Sequence, residues 1–269
     1  MNGRVLIIAG SDSGGGAGIQ ADIKSVSALG GFAMTAITAL TAQNTLGVHA
    51  IQPVATDFIA QQMAVVLDDI GADCLKTGML HNEEVIGVVA DMIAEKAATI
   101  PLVADPVMVA KGGASLLDDA AHTALIERIV PLAAVLTPNA PEAAALTGID
   151  VIDDASQQAA GEALRAMGAR AVLVKGGHIG GPRIVDVLIT GDGVARFESP
   201  RIETPHTHGT GCTLASAIAA GLAQGMDLPS AVSRARDYVM AAIAAAPGYG
   251  AGHGPIDHTV TVDPGRIGA

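Results

Sequence analysis

Half of this 269-residue chain is hydrophobic, enough for a large core, and α/β folds of this length are routinely one domain, so residues 1–269 are expected to form one. The formal net charge of −12 excludes a nucleic-acid groove, because phosphate backbones need clustered Lys and Arg. No basic cluster or aromatic series offsets it, with no Trp, 2 Tyr and 3 Phe.

A first strand is expected over residues 4–10, ending in VLIIAG and breaking into a polar glycine loop over residues 11–18. That apolar run is too short for a signal-peptide core or a membrane span, which makes the cytoplasm the expected compartment and excludes a membrane partner. Cys74 and Cys212 have neither CxxC nor metal-ligand spacing, and free thiols suit a reducing cytosol. A helix should follow over residues 19–29, stopped by Gly30 and Gly31. Residues 34–40 and 48–53 read as extended, around the turn AQNTLG. Thr56 and Asp57 cap a helix to residue 70. A strand over 73–79 ends in a polar loop, and 82–96 reads as helix. The strand over 102–107 runs into the loop 109–113.

Residues 118–129 read as helix, 134–137 as a short buried strand and 141–146 as a short helix. A longer helix spans 155–167, followed by the strand 171–175 and the loop GGHIGG. Gly191-Asp192-Gly193 joins the segments 184–190 and 195–199 as a hairpin. Residues 206–221, HTHGTGCTLASAIAAG, are a glycine loop opening into an Ala-rich helix, and a last helix covers 229–245. The glycine-rich tail after Pro247 is expected to be peripheral. Strand–helix alternation predicts a mostly parallel sheet between helices, with one small antiparallel excursion.

In open α/β sheets, ligands gather at the carboxyl ends of strands, and the informative loops here all follow strands. Gly209 and Gly211 leave backbone amides free to face an anion at a helix N-terminus. The same stretch also suits a plain glycine turn before a packed helix. Cys212 falls in the first helical turn, where the helix field favours a thiolate. Asp105, closing the strand LVAD, is suited to hold Mg²⁺ through water. Asn139 and Glu142 form N-x-x-E: Glu142 suits Mg²⁺-bound water, and the pair equally suits a helix cap. Lys175 offers a point charge to phosphate or serves as an ordinary strand-end cation. There is no G-x-G-x-x-G, Walker lysine loop, H-E-x-x-H or G-x-S-x-G. His206 and His208 lack partners for a zinc set. Anion loops, carboxylates and a lysine are the parts of phosphoryl transfer.

The motifs GSDSGGGAGIQAD, TALTAQNT, KTGML, DPVMVAKGG, TPNAPEA, VLVKGGH and HGTGCT occur in that order, from residue 9 to about 214, with GAGHGPIDH near the end. Together they closely resemble the hydroxymethylpyrimidine/phosphomethylpyrimidine kinases of thiamin biosynthesis, in the ribokinase-like superfamily. The resemblance implies a three-layer α/β/α sandwich and two successive ATP- and Mg²⁺-dependent phosphorylations of 4-amino-5-hydroxymethyl-2-methylpyrimidine. It places Gln43 and Asp22 on the pyrimidine's ring nitrogens and amino group, and Gly10, Met79 and Val107 around its pocket. Lys175, Thr137, Asn139 and Glu142 fall in the ATP-phosphate and Mg²⁺ region, with Asp105 acting through water.

Where most ribokinase-like sugar kinases carry an Asp base, this chain has Cys212, as the pyrimidine kinases do. Cys212 is therefore the candidate base, and the amides of Gly209, Thr210, Gly211 and Cys212 the anion hole. The glycine loops 11–18 and Gly112-Gly113, with Lys111, are assigned to the phosphate of the second acceptor. The resemblance also implies a homodimer and leaves any monovalent-cation requirement open. The rivals are a pyridoxal or pyridoxine kinase and, from another class, a non-catalytic pyrimidine sensor. Ala110, where some pyridoxal-phosphorylating relatives carry a second Cys, speaks against the first.

Overall fold

The computed structural model describes residues 2–108, 118–263 and 265. Nine strands form one sheet in the order β3-β2-β1-β4-β5-β6-β7-β8-β9. They are β1 (Arg4–Asp12), β2 (Phe32–Asn44), β3 (Gly47–Pro53), β4 (Cys74–Thr77), β5 (Leu102–Ala104), β6 (Val135–Leu136), β7 (Val172–Val174), β8 (Arg183–Ile189) and β9 (Val194–Pro200). The six strands from β2 to β7 in that order pair in parallel, while β3 at one edge and the β8–β9 hairpin at the other are antiparallel. The chain leaves β1 toward β2 on one side and returns with β4 on the other. Loops leaving the carboxyl ends of β1 and β4 therefore diverge and open a crevice.

The central strands are buried on both faces, so they read as unbroken apolar runs with a period of two in destination. Leu6 and Ile8 face one core with α2 (Thr56–Asp69), α3 (Glu83–Lys96), α5 (Ala140–Thr147) and α6 (Asp154–Ala166), which hold Met63, Val89, Ala143 and Leu164 against them. Val5 and Ile7 face the other, with α1 (Gly18–Ala28), α7 (Thr210–Ala223) and α8 (Leu228–Ala244). This is the expected three-layer sandwich. In α7, Thr213 through Gly221 are all buried, which only small side chains permit this close to a sheet.

Several boundaries differ from expectation for identifiable reasons. Strand β5 stops at Ala104 because Asp105 turns into Pro106, which lacks a ladder donor. The helix expected over 118–129 is α4 (Asp119–Ala124) followed by a π turn, Leu125–Ile129, and a 3-10 turn, Val130–Leu132. Pro131 cannot donate to the preceding turn, so the regular ladder lapses there. The tail is not peripheral. His253 N donates to Thr45 O at 2.9 Å, His208 N donates to Gly254 O at 3.1 Å, and Ile256 and His258 are buried. Tyr238 Oη donates to His258 O at 2.7 Å, and burial pushes the His258 imidazole down to about 4.

Candidate active site

A cavity of about 670 Å³ lies over the carboxyl ends of the parallel strands. Each loop singled out at a strand end reaches it, through Gly10 and Gly18, Lys76 and Met79, Asp105 and Val107, Asn139 and Glu142, Lys175, and Gly209 to Cys212. Lys111 and the rest of residues 109–117 lie outside the described residues.

One part of the cavity is built for anions. Helix α7 has Gly209 at its N-cap, with φ +83° and no side-chain cap; Thr210 N turns back to Thr207 O at 3.4 Å, and no side chain caps the amides that follow. A Cβ at Gly209 would sit 1.7 Å from Gly16 O, so only glycine allows the two glycine loops to touch. A Cβ on Gly211 would lie 3.3 Å from Lys175 Nζ and 3.8 Å from Asp105 Oδ2, which puts both charges beside the helix terminus. Lys175 Nζ donates to Asp105 Oδ1 at 3.0 Å. Thr137 Oγ1 stands 3.3 Å from the same oxygen, buried behind Asp105 rather than on the cavity wall.

Asn139 and Glu142 form a capping box on α5, with Asn139 Oδ1 accepting from Glu142 N and Glu142 Oε2 accepting from Asn139 N. Both also line the cavity, so the cap and the site share the same side chains. Burial, then repulsion from Asp105, pushes the Glu142 carboxyl up to about 7, and Lys175 opposes this. Burial works against the charge on Lys175, yet Asp105 and Glu142 hold its pKa above the usual lysine value.

Among the described residues, no group of three or more His, Cys, Asp or Glu forms a metal cage. Two carboxylates beside a lysine and free amides instead fit a hydrated Mg²⁺ carried in on phosphates.

Another part of the cavity is less charged. Gly10, Met79, Val107 and Gln43 line it, and a Cβ on Gly10 would strike Met79 Cε at 2.7 Å. Asp22, placed by resemblance on the substrate, is fully buried below the cavity and absent from its lining. Both of its oxygens accept from Lys76 Nζ at 2.9 Å, and Ser216 Oγ donates to Oδ1 at 2.7 Å. Ser216 is one turn beyond Cys212 on α7, so this buried pair underlies the thiol.

The expectation of a readily formed thiolate at Cys212 is corrected. Burial pushes the thiol up to about 12, against the pull of Lys76, while Asp22 and Asp105 raise it further. Desolvation is the largest influence on this thiol.

The sequence did not single out Asp12 and His208 as partners. Asp12 accepts from the amides of Gly14 (2.8 Å), Gly16 (3.2 Å) and Ala17 (2.8 Å), and His208 Nε2 lies 2.8 Å from its Oδ2. Burial opposes the charge, but His208 and these amides hold the Asp12 carboxyl below the usual range. The pair ties the first glycine loop to the one that opens α7. A further stretch of wall is apolar, from Ile184 on β8 and Val239, Met240 and Ile243 on α8.

Comparison with known proteins places this site in context. A family model described as phosphomethylpyrimidine kinase matches residues 12–257. A hydroxymethylpyrimidine/phosphomethylpyrimidine kinase of Haemophilus influenzae is 50% identical over 259 residues, covering 95% of this chain and 96% of the relative. The thiamine biosynthesis bifunctional protein ThiED of Geobacter sulfurreducens is 51% identical over 97% of this chain, which spans only 53% of that longer protein. Among solved structures, an ADP complex of Bacillus subtilis pyridoxal kinase superposes with a TM-score of 0.90 at 38% identity, covering 97% of this chain and 98% of its own.

Proposed function

The chain belongs to the phosphomethylpyrimidine kinase family, and from that premise we propose that it transfers phosphate from ATP to a hydroxymethylpyrimidine and then to the resulting monophosphate. The observation that carries this reading is the uncapped start of α7 beside Lys175 and Asp105, in one cavity with Gln43 and Met79. The part lined by Gly10, Gln43, Met79 and Val107 would take the pyrimidine and the apolar wall of α8 the adenine, leaving the phosphates over Gly209, Thr210, Gly211 and Cys212.

The acceptor hydroxyl attacks the terminal phosphorus, the bond to ADP breaks, and the hydroxyl proton must leave. Lys175 and the α7 amides stabilise the charge moving through the transferred group. Asp105, Glu142 and Asn139 form the metal and phosphate side, with Thr137 supporting Asp105 from behind, and Mg²⁺ held there would neutralise phosphate charge. Cys212 is the proposed base, and only its thiolate can accept the hydroxyl proton; burial pushes the thiol up to about 12, so the acting thiolate is a minor form, drawn on once transfer has made the hydroxyl strongly acidic. The second acceptor is already a phosphate and needs no base. Cys212→Ala should therefore slow the first transfer by about 10²-fold and the second much less. Equal losses in single-turnover assays of the two steps would remove Cys212 as base.

The reading includes a cytoplasmic homodimer. Among the described residues, no helix is long and apolar enough to cross a membrane. The test is ADP release with Mg²⁺-ATP and either the hydroxymethylpyrimidine or pyridoxal, with product masses read from the same samples. Pyrimidine diphosphate is the expected product. Preference for pyridoxal, the substrate named by the Bacillus subtilis structure, would overturn the pyrimidine assignment. Binding without turnover would favour a sensor.

A further inference from the structure

Residues 176–182, GGHIGGP, leave β7 directly after Lys175. Four glycines in seven residues give this loop many unfolded conformations and little packing of its own. It is nevertheless tied down from outside. Arg201, the residue after β9, donates from Nε to Gly181 O at 2.8 Å, from Nη1 to Gly177 O at 3.0 Å and from Nη2 to Ile179 O at 2.5 Å. One guanidinium thus satisfies three carbonyls of a single loop.

The loop's two ends are fixed separately. Gly176 N donates to Asp186 Oδ1 at 2.8 Å, and Asp186 Oδ2 accepts from Arg236 Nε at 2.8 Å. A Cβ on Gly176 would lie 2.0 Å from Val185 O, so the loop leaves the sheet in close contact with β8. Arg201 N donates to Pro182 O at 2.9 Å. Gly177, His178 and Arg201 all line the cavity beside the apolar wall of Ile184 and α8.

We propose that Arg201 is a positioning residue for the nucleotide, acting by holding residues 177–181 as a preformed wall of the nucleotide end. The inference rests on the nucleotide assignment made above. A glycine-rich wall left free would have to be ordered when ATP binds, and that entropy would be subtracted from affinity. With Arg201 in place the ordering is complete before binding. The guanidinium does not reach the transferred phosphate through any of these bonds, so its effect falls on nucleotide affinity and leaves the chemical step alone. Lysine cannot replace it, because one ammonium cannot span three carbonyls in the geometry of a planar fork.

The experiment compares wild type, Arg201→Ala and Arg201→Lys by calorimetric titration with ADP and by steady-state kinetics. Both variants should bind ADP ~10-fold more weakly, equivalent to about 1.4 kcal/mol, and show the same rise in KM for Mg²⁺-ATP. Their kcat at saturating ATP and their KM for the pyrimidine should stay within about twofold of wild type. Millimolar guanidinium ion should restore ADP affinity to Arg201→Ala and leave Arg201→Lys unchanged. If Arg201→Ala does not fold, Arg201→Lys, which keeps the aliphatic stem, carries the same comparison. Unchanged ADP affinity in a folded variant, or a fall in kcat with unchanged affinity, overturns the proposal. A wild type that binds no ADP would instead refute the nucleotide assignment.

Discussion

Lys76→Met is expected to cost ~3–5 kcal/mol of unfolding free energy, because it strands a buried carboxylate. Lys76 and Asp22 have no exposed side-chain surface, and Lys76 Nζ bonds both Asp22 oxygens at 2.9 Å. Once the ammonium is gone, Asp22 keeps only the bond from Ser216, too little to offset desolvation. Burial already raises the Asp22 pKa, and Lys76 is the largest influence opposing it. In the variant the folded-state pKa therefore rises further above the unfolded value. Between those two values the folded state binds more protons than the unfolded state, so stability falls as pH rises and recovers in acid.

The double variant Lys76→Met, Asp22→Asn should regain a large part of the loss, because no charge remains buried. Urea unfolding of wild type, Lys76→Met and the double variant at two pH values measures this. A loss under about 1 kcal/mol in Lys76→Met, or no recovery in the double variant, would mean that water reaches the pair. Such a buried pair adds little net stability over an apolar pair of the same shape, and it lies under Cys212, whose thiol Lys76 lowers and Asp22 raises.

Sequence alone revealed the layers because their signals are local. VLIIAG, LVAD and VLVK are apolar runs closed by a glycine or a charge, and each became a parallel strand with its polar residue at the cavity rim. Local signals also placed Asp105, Lys175 and the Asn139–Glu142 box. Burial was not legible in the same way. Asp22 near a helix start reads as solvated until Lys76, 54 positions away, and Ser216, 194 positions away, close on it. The helix terminus that favours a Cys212 thiolate is written in HGTGCT. The desolvation that pushes the thiol up comes from elements distant in the chain.

The tail was misread for a related reason. Gly250, Gly252 and Gly254 show no apolar period, yet Cβ atoms there would collide with Thr45 and His206, and the glycines let the chain pass against them. Arg201 lies in no motif, and although Asp12 and His208 each fall within one, nothing in the sequence pairs them. Their partners are backbone groups and a side chain that only the fold brings near.

Lys175→Met should lower kcat by about 10²–10³-fold, the scale for removing one preorganised donor at a transferring group. The protein should still fold, because Asp105 retains Thr137 as a partner and Lys175 is not fully enclosed. A loss of positioning alone would leave the pH dependence unmoved, and here it should move. Glu142 titrates at about 7 through burial and Asp105, with Lys175 opposing both. If the ionised form of Glu142 serves the phosphates and metal, kcat/KM rises with pH through that value. Removing Lys175 takes away the nearest cation, makes Glu142 harder to ionise and moves the rising limb to higher pH. Glu142→Gln should abolish the limb at a reduced but pH-independent rate. Measured in all three proteins, a limb that stays in place in Lys175→Met and survives in Glu142→Gln would assign it to the nucleotide's own phosphate. The lysine would then act on the transferred group alone, without tuning its carboxylate neighbour.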